Sequence, residues 1–356
     1  MIQDVEIRNF KCFKSLYLPE LSRVNIVGGA NNVGKTALLE ALFMFHDRRS
    51  PGIFLKHFHW RGLDLVRSDP EAVWAPYFYD FDLGHPFEIK LKRDGEIETA
   101  KYEFNPVFSP MRSNGASSQE SEGPVNTREE SPLGSVGITY INSDGRKTVA
   151  HSYMEDNQAK LEFGSSQPYA RSAFLVPARN RPPAEEEAKR LSKVKELKKD
   201  KMVEDFLQII APGLSDLQVS TAMIKPTIYC DIGLPRLVPV AYAGDGLTRL
   251  LSIILDMVNA PGGVVLVDEV ENGIHYSVQE KFWIALDKAA KELDCQIIAT
   301  THSHESLMAA HSAFATDLFE PQFRYIRLEK IGEEIKAKTY THEMLGIALE
   351  AHLEVR

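Results

Sequence analysis

Gly29-Ala30-Asn31-Asn32-Val33-Gly34-Lys35-Thr36 has the spacing G-x-x-x-x-G-K-[ST], which specifies a cradle for phosphate. Its glycines let the backbone bend until consecutive N–H groups converge on phosphate oxygens, and a helix N-terminus behind them adds partial positive charge. Gly29, Asn31, Asn32, Val33, Gly34 and Ala37 are the backbone positions that would line the cradle. Lys35 would reach the β and γ phosphates, while the Thr36 hydroxyl would hold Mg2+. Far downstream, Val264-Val265-Leu266-Val267 runs into Asp268-Glu269, an apolar strand ending in two carboxylates. Asp268 would hold Mg2+ through water, and Glu269 would polarise the water that attacks the γ phosphate. Asn272, in the short loop that follows, is grouped with the nucleotide contacts. Residues 297–303 (IIATTHS) form another buried strand closed by a polar turn, which sets His302 where a γ-phosphate sensor would stand. Gly244, Asp245 and Gly246 open a further helix, and a glycine-led helix start is a second anion site. ATP with Mg2+ is the expected cofactor; no residue pattern reads the base, which leaves GTP open.

Elements must hold these groups. Val24, Ile26 and Val27 read as a buried strand before the cradle, and Ala37, Leu38, Leu39, Ala41, Leu42 and Phe45 as the buried side of a helix after it. Val5 and Ile7 alternate with Glu6 and Arg8 in a half-buried strand ending near Phe10, so the opening is expected to run β-β-loop-α. From Phe87, FEIKLKRDGEIETAKYEF alternates apolar and charged residues around Asp94-Gly95, a hairpin signal repeated at Asp144-Gly145. These strands are expected to form an antiparallel meander lobe inserted after the first helix. Between them, residues 109–131 contain almost nothing to bury and are expected to be a disordered loop. A strand is expected at 174–176. Residues 185–201 then read as a highly charged helical stretch leading into Val203, Phe206, Leu207 and Ile210, whose i, i+3, i+4, i+7 spacing must face a core. Leu247, Leu250, Leu251, Ile254, Leu255 and Val258 mark the buried face of the glycine-led helix, and Val278, Phe282, Trp283 and Leu286 that of the next.

The expected fold class is α/β: a mixed, mainly parallel P-loop sheet wrapped by helices, with an antiparallel β lobe and a small helical lobe inserted between the two phosphate-site motifs. One composite ATPase domain over 1–356 divides into a phosphate-loop lobe (1–80), the β lobe (81–180), a helical lobe with connecting strands (181–237), a lobe carrying the second anion site, the acidic pair and His302 (238–310), and a hairpin with a short helix (311–356).

A chain of 356 residues with 44% hydrophobic and 26% charged residues suits a large globular core in water. No segment approaches 18 uncharged apolar residues, so no membrane span is expected. Cys12, Cys230 and Cys295 are odd in number and lack metal-ligand spacing, which fits a reducing cytosol and a cytoplasmic location. A formal charge of −9 argues against a uniformly basic coat for nucleic acid. The strongest basic patch is Lys189, Arg190, Lys193, Lys195, Lys198, Lys199 and Lys201, read either as a solvated helix face or as a contact for the DNA backbone.

The order of phosphate loop, glycine-led helix, acidic pair, short loop and strand-end histidine resembles the ATP-binding-cassette (ABC) ATPase head of SMC and RecF-type proteins. The opening IQDVEIRNFKCFKSLYL resembles their first strands. AGDGLTRLLSIIL, VDEVENGIHYSV and ATTHSHES together resemble the AAA-type ATPases of the overcoming-lysogenization-defect (OLD) group, over residues 1–45 and 238–310 and only loosely between. The resemblance implies a head-to-head homodimer assembled on ATP, in which Gly244-Asp245-Gly246 of one subunit caps the ATP on Lys35 of the other. Catalysis would then fall to Lys35, Glu269 and His302. Ala243 stands where the family's signature has serine, implying slow hydrolysis, and Pro177-Ala178-Arg179-Asn180 replaces the usual Q-loop glutamine, with Arg179 or Asn180 as substitutes. Many OLD proteins carry a TOPRIM nuclease domain after the ATPase, and the residues after Ala310 are too few for one. The function expected is therefore an ATP-driven switch for a separately encoded effector, a nuclease or toxin, in bacterial antiphage or foreign-DNA defence. The alternatives are a RecF-like repair ATPase clamping duplex DNA and a slow-turnover nucleotide-dependent scaffold.

Overall fold

Three strands, rather than two, lead into the phosphate loop in the computed structural model: β1 (Ile2–Phe10), β2 (Phe13–Leu18) and β3 (Val24–Gly29). The structure describes residues 1–61, 70–108, 134–155, 158–164, 171–178, 182–221, 224–315, 322–351 and 353–354. The expected loop at 109–131 and the Q-loop candidates Arg179 and Asn180 lie outside them. The extra strand follows a tight turn in which Asn9 and Lys11 take positive φ (54° and 49°), bringing Phe13 back opposite Phe10. Asn9 is a usual turn residue but Lys11 is not, so the turn is only weakly marked in the sequence.

Helices α1 (Lys35–Asp47), α2 (Ile53–Trp60) and α3 (Pro70–Trp74) come next, followed by the meander β4 (Phe87–Arg93), β5 (Glu96–Asn105), β6 (Ser135–Ile141), β7 (Lys147–Glu155) and β8 (Gln158–Phe163). Asp94 (φ 51°) and Gly95 (φ 85°) make the two-residue hairpin turn with Arg93 opposite Glu96, and residues 142–146 join β6 to β7. The meander is not a lobe apart. It continues the N-terminal hairpin into one seven-stranded sheet of order β2-β1-β4-β5-β6-β7-β8.

The remaining elements are β9 (Ala173–Val176), α4 (Ala184–Glu196), α5 (Asp200–Leu207), β10 (Asp216–Ser220), β11 (Thr227–Asp231), β12 (Val238–Pro239), α6 (Asp245–Asn259), β13 (Val264–Val267), α7 (Tyr276–Glu292), β14 (Gln296–Thr300), α8 (His304–Phe314), β15 (Phe323–Ile331), β16 (Glu334–Tyr340) and α9 (His342–Glu350). A second sheet has the order β16-β15-β3-β14-β13-β9 and is parallel except for β16. β13 (VVLV) and the middle of β14 (297–299) are continuous apolar runs because both faces are covered. Val265 and Val267 join one core with α6 and α7, while Val264 and Leu266 join the other with α1 and the antiparallel sheet. β9, placed by the boundaries above in the β lobe, pairs instead with β13.

In the helical lobe Val203, Phe206 and Leu207 are buried as their spacing requires, whereas Ile210 lies past the end of α5 and is half-buried. Four of the seven residues of the basic stretch pair with carboxylates. Lys189 pairs with Glu185 (2.9 Å), Arg190 with Glu186 and Asp256 (2.6 and 2.7 Å), Lys195 with Asp200 and Asp216 (3.8 Å each), and Lys201 with Glu204 and Asp205 (3.4 and 3.7 Å). Among the described residues no helix is long and apolar enough to cross a membrane.

Candidate nucleotide site

β3 ends at Gly29 and α1 starts at Lys35, so the loop between them sits at the C-terminal edge of a parallel strand and the N-terminus of a helix. Gly29 (φ 134°) and Gly34 (φ 89°) lie in the left-handed half of conformational space, and space forbids a side chain at either. A Cβ on Gly29 would lie 2.4 Å from the Leu328 carbonyl oxygen, and one on Gly34 would lie 2.6 Å from both Cys12 Sγ and the Phe13 ring. Gly34 is the N-cap of α1 and supplies no side-chain cap, so the first-turn N–H groups have the polarity and direction that suit phosphate oxygens. Lys35 curls back over the loop, its Nζ donating to the carbonyl oxygens of Gly29 (2.7 Å) and Ala30 (2.8 Å). Burial lowers its pKa to about 8, against the opposing pull of Asp268, Glu269 and Glu271. The loop residues therefore fit a polyphosphate, which would take over the ammonium group from those two carbonyls.

Asp268 follows β13 and faces Thr36 across the sheet edge, with Thr36 Oγ1 donating to the carboxylate at 3.1 Å. Thr300, the last residue of β14, donates from Oγ1 to Asp268 Oδ1 at 2.7 Å. Desolvation raises the Asp268 pKa, and the two threonine hydroxyls oppose that rise by favouring the carboxylate. Among the described residues no three His, Cys, Asp or Glu side chains converge to form a protein-only metal cage. A cation here would draw on Thr36, Asp268, phosphate and water, the donor set that Mg2+ accepts.

Glu269 takes a positive φ of 46° and is fixed by its N–H, which donates to Thr300 Oγ1 at 2.8 Å. A non-glycine residue in this region costs about 1 kcal/mol or more and persists where its surroundings enforce it. The turn aims the Glu269 carboxylate out of the sheet toward His302, whose Nε2 is 4.0 Å from Oε1. Asn272 Nδ2 donates to Glu269 Oε2 (2.7 Å) and to the Ala178 carbonyl (3.3 Å), and the His302 N–H donates to Glu271 Oε1 (2.8 Å). The fold thus brings Lys35, Thr36, Asp268, Glu269, Asn272 and His302 to one sheet edge.

Gly244, Asp245 and Gly246 are elsewhere. Gly244 (φ 114°) is the N-cap of α6 without a side-chain cap, Gly244 and Asp245 are exposed, and Gly246 lies inside the first turn beside Gly273 and Ile274. One turn later comes a residue that motif reading missed. Arg249 is buried, and its Nη2 donates to the backbone carbonyls of Asp268 (2.6 Å) and Glu269 (3.0 Å). Its signal was an arginine inside an otherwise apolar helix face. Thr300 was missed because it reads as one more β-former in an apolar strand. A third unforeseen group is Glu40, buried on α1 and bonded to Lys11 (2.6 Å) and Arg61 (2.9 and 3.0 Å), which fastens α1 to the β1–β2 turn.

Residues 1–105, which contain the phosphate loop, match the family described as "AAA ATPase domain". Residues 144–309, which contain Gly244–Gly246, Asp268, Glu269 and His302, match the family described as "AAA domain, putative AbiEii toxin, Type IV TA system". Over 374 aligned residues the chain is 23% identical to a Helicobacter pylori protein named "ATP/GTP phosphatase", with 98% of each chain covered. Among solved structures it is similar to the SMC head bound to the C-winged helix domain of ScpA, at TM-score 0.51 and 15% identity, covering 96% of this chain and 98% of that one. The SMC head domain from Thermotoga maritima aligns over 95% of this chain and 98% of its own at TM-score 0.44 and 13% identity. The fold is that of an ABC-type P-loop head, and the chain is an ATPase.

Proposed function

We propose that this ATPase is a dimeric, ATP-driven switch that controls a separately encoded effector in bacterial defence, working in the cytoplasm. In this reading Lys35 grips the β and γ phosphates, and the backbone of Gly29, Asn31–Gly34, Thr36 and Ala37 cradles them. Thr36 and Asp268 would hold Mg2+, which would supply positive charge against the phosphates. Glu269, held by its own backbone bond to Thr300 and by Asn272, orients and deprotonates the attacking water. His302 contacts the γ phosphate, and Gly244–Gly246 of a second copy closes the pocket from above.

The observation that carries this reading is the exposed, uncapped start of α6 on the very helix whose Arg249 holds the Asp268–Glu269 backbone. This glycine-led helix start, with Asp245 in its first turn, is thereby tied to the hydrolytic residues of its own subunit, and it would close over a neighbour's nucleotide. The match of residues 144–309 to a family described as "putative AbiEii toxin, Type IV TA system" supports a place in a toxin system. Ala243 removes one hydroxyl from the closing surface, consistent with a switch that turns over slowly.

The decisive test is Glu269→Gln. Hydrolysis should fall at least a hundredfold on the usual scale of a lost general base, while light scattering with Mg-ATP should show twice the monomer mass. A Glu269→Gln chain that stays monomeric at saturating ATP refutes the dimeric switch. Failure of the neighbouring gene's product to copurify in either nucleotide state refutes the effector.

A further inference from the structure

At the opposite end of α1 from the phosphate loop, between that helix's C-terminus and the β4–β5 turn, lies a cavity of about 240 Å3 lined by Arg48, Arg93 and Arg171. Arg171 also lines two adjoining cavities of about 290 and 20 Å3. Arg48 is 3% exposed and Arg93 8%, a degree of burial that guanidinium groups ordinarily tolerate only when paired. Arg48 spends Nη1 on the Phe45 carbonyl (2.8 Å) and lies 3.7 Å from the centre of the Tyr140 ring, leaving Nε buried without a hydrogen-bond partner. Arg93 donates from Nη2 to His46 Nε2, and its Nε is likewise buried and unpartnered.

Three carboxylates also line the cavity, and of these Glu98 is the one that pairs with a buried guanidinium. Burial and Arg93 push the His46 pKa down to about 3, so its ring is neutral, with Nδ1–H donating to the Leu42 carbonyl (2.7 Å). Glu98 stands 4.0 Å from Arg93 Nη1 and accepts the Tyr140 hydroxyl at 2.5 Å. Asp94 and Glu96, the other carboxylates of the lining, are exposed, and Asp94 pairs with the Met1 amine at 3.8 Å. Two buried guanidiniums with an orphaned Nε each, and a third at the mouth, share the single nearby carboxylate of Glu98 and keep donors to spare.

We propose that this cavity is a second ligand site, remote from the ATP pocket, that takes a small phosphorylated metabolite through Arg48, Arg93 and Arg171. Its size, below that of most drug-sized pockets, suits a phosphomonoester or diphosphate on a short skeleton. Forked guanidinium groups match phosphate oxygens two at a time. The three arginines come from three places: Arg48 caps α1, Arg93 ends β4, and Arg171 precedes β9. A bound phosphate would therefore tie α1 and the antiparallel sheet to the strand that leads to Ala178, whose carbonyl holds Asn272. The site stands independently of whether an effector exists.

Pyrophosphate is the probe, titrated calorimetrically into the full chain carrying Lys35→Ala so that the phosphate loop is disabled. One saturable site per chain is expected, weakened at least tenfold by adding Arg171→Gln and again by Arg93→Gln. Arg171 is exposed, so its substitution does not threaten folding, and alone it should leave Mg-ATP turnover without pyrophosphate unchanged. Absence of saturable binding, or an affinity unaltered by Arg171→Gln, overturns the proposal. Displacement of pyrophosphate by a short DNA duplex that binds more tightly per phosphate also overturns it, in favour of a polymer site.

Discussion

Lys35 is charged or neutral according to what lies beside it. Without nucleotide its ammonium is buried against two carbonyls and its pKa is lowered to about 8; a triphosphate would favour the charged form and raise it again. Binding then requires proton uptake once the pH exceeds that value. Affinity for a non-hydrolysable ATP analogue should accordingly be flat below pH 8 and fall by about tenfold per pH unit above it, because one pKa unit corresponds to a factor of ten. An unperturbed lysine would delay the fall to about pH 10.4. Equilibrium binding between pH 7 and 9.5 reads the difference, and Lys35→Arg, which stays charged throughout, should flatten the profile. A native profile that is already flat to pH 9.5 contradicts the buried ammonium.

At the scale of elements, the informative contact is between α6 and the end of β13. Arg249 joins them through two carbonyl oxygens that belong to the acidic pair itself. Arg249→Met would keep the apolar stem and strand those carbonyls, at a cost of about 1–3 kcal/mol for each acceptor left buried. Turnover should fall by more than nucleotide affinity does, since the phosphate loop is untouched; equal losses in kcat and in ATP binding would mean Arg249 only stabilises the fold. The phosphate loop, the acidic strand and the amphipathic helices were legible in the sequence because their spacing is local and their periods are 2 or 3.6. Arg249, Thr300 and Glu40 were not, since each acts through a bond to a residue remote in the chain. β2 escaped notice because Asn9 and Lys11, rather than glycines, make its turn. The pairing of Lys195 and Arg190 with Asp216 and Asp256 is likewise illegible locally, because those carboxylates lie far along the chain.

For the whole molecule, the proposed dimer makes a prediction that no single subunit can satisfy. A Lys35→Ala subunit lacks a working phosphate loop but keeps its α6 start, and a Gly246→Asp subunit has the reverse defect. Each alone should be inactive. Mixed freely, half of the dimers pair one of each and contain one intact composite site, so about a quarter of the native turnover should return. Mixtures as inactive as their components would place both halves of the site in one subunit.

The register of the parallel sheet has a consequence for biosynthesis. β3 delivers the phosphate loop, and its two flanking strands are β14 and β15, with Val24 opposite both Ile297 and Phe323. A ribosome makes β3 long before either of those partners. The strand must wait, unpaired, while the residues between it and β14 are translated, and closing so long a loop is slow. The phosphate loop is thus made well before the strands that fix it, and the nascent protein cannot hold ATP in this pocket before the sheet around β3 has closed.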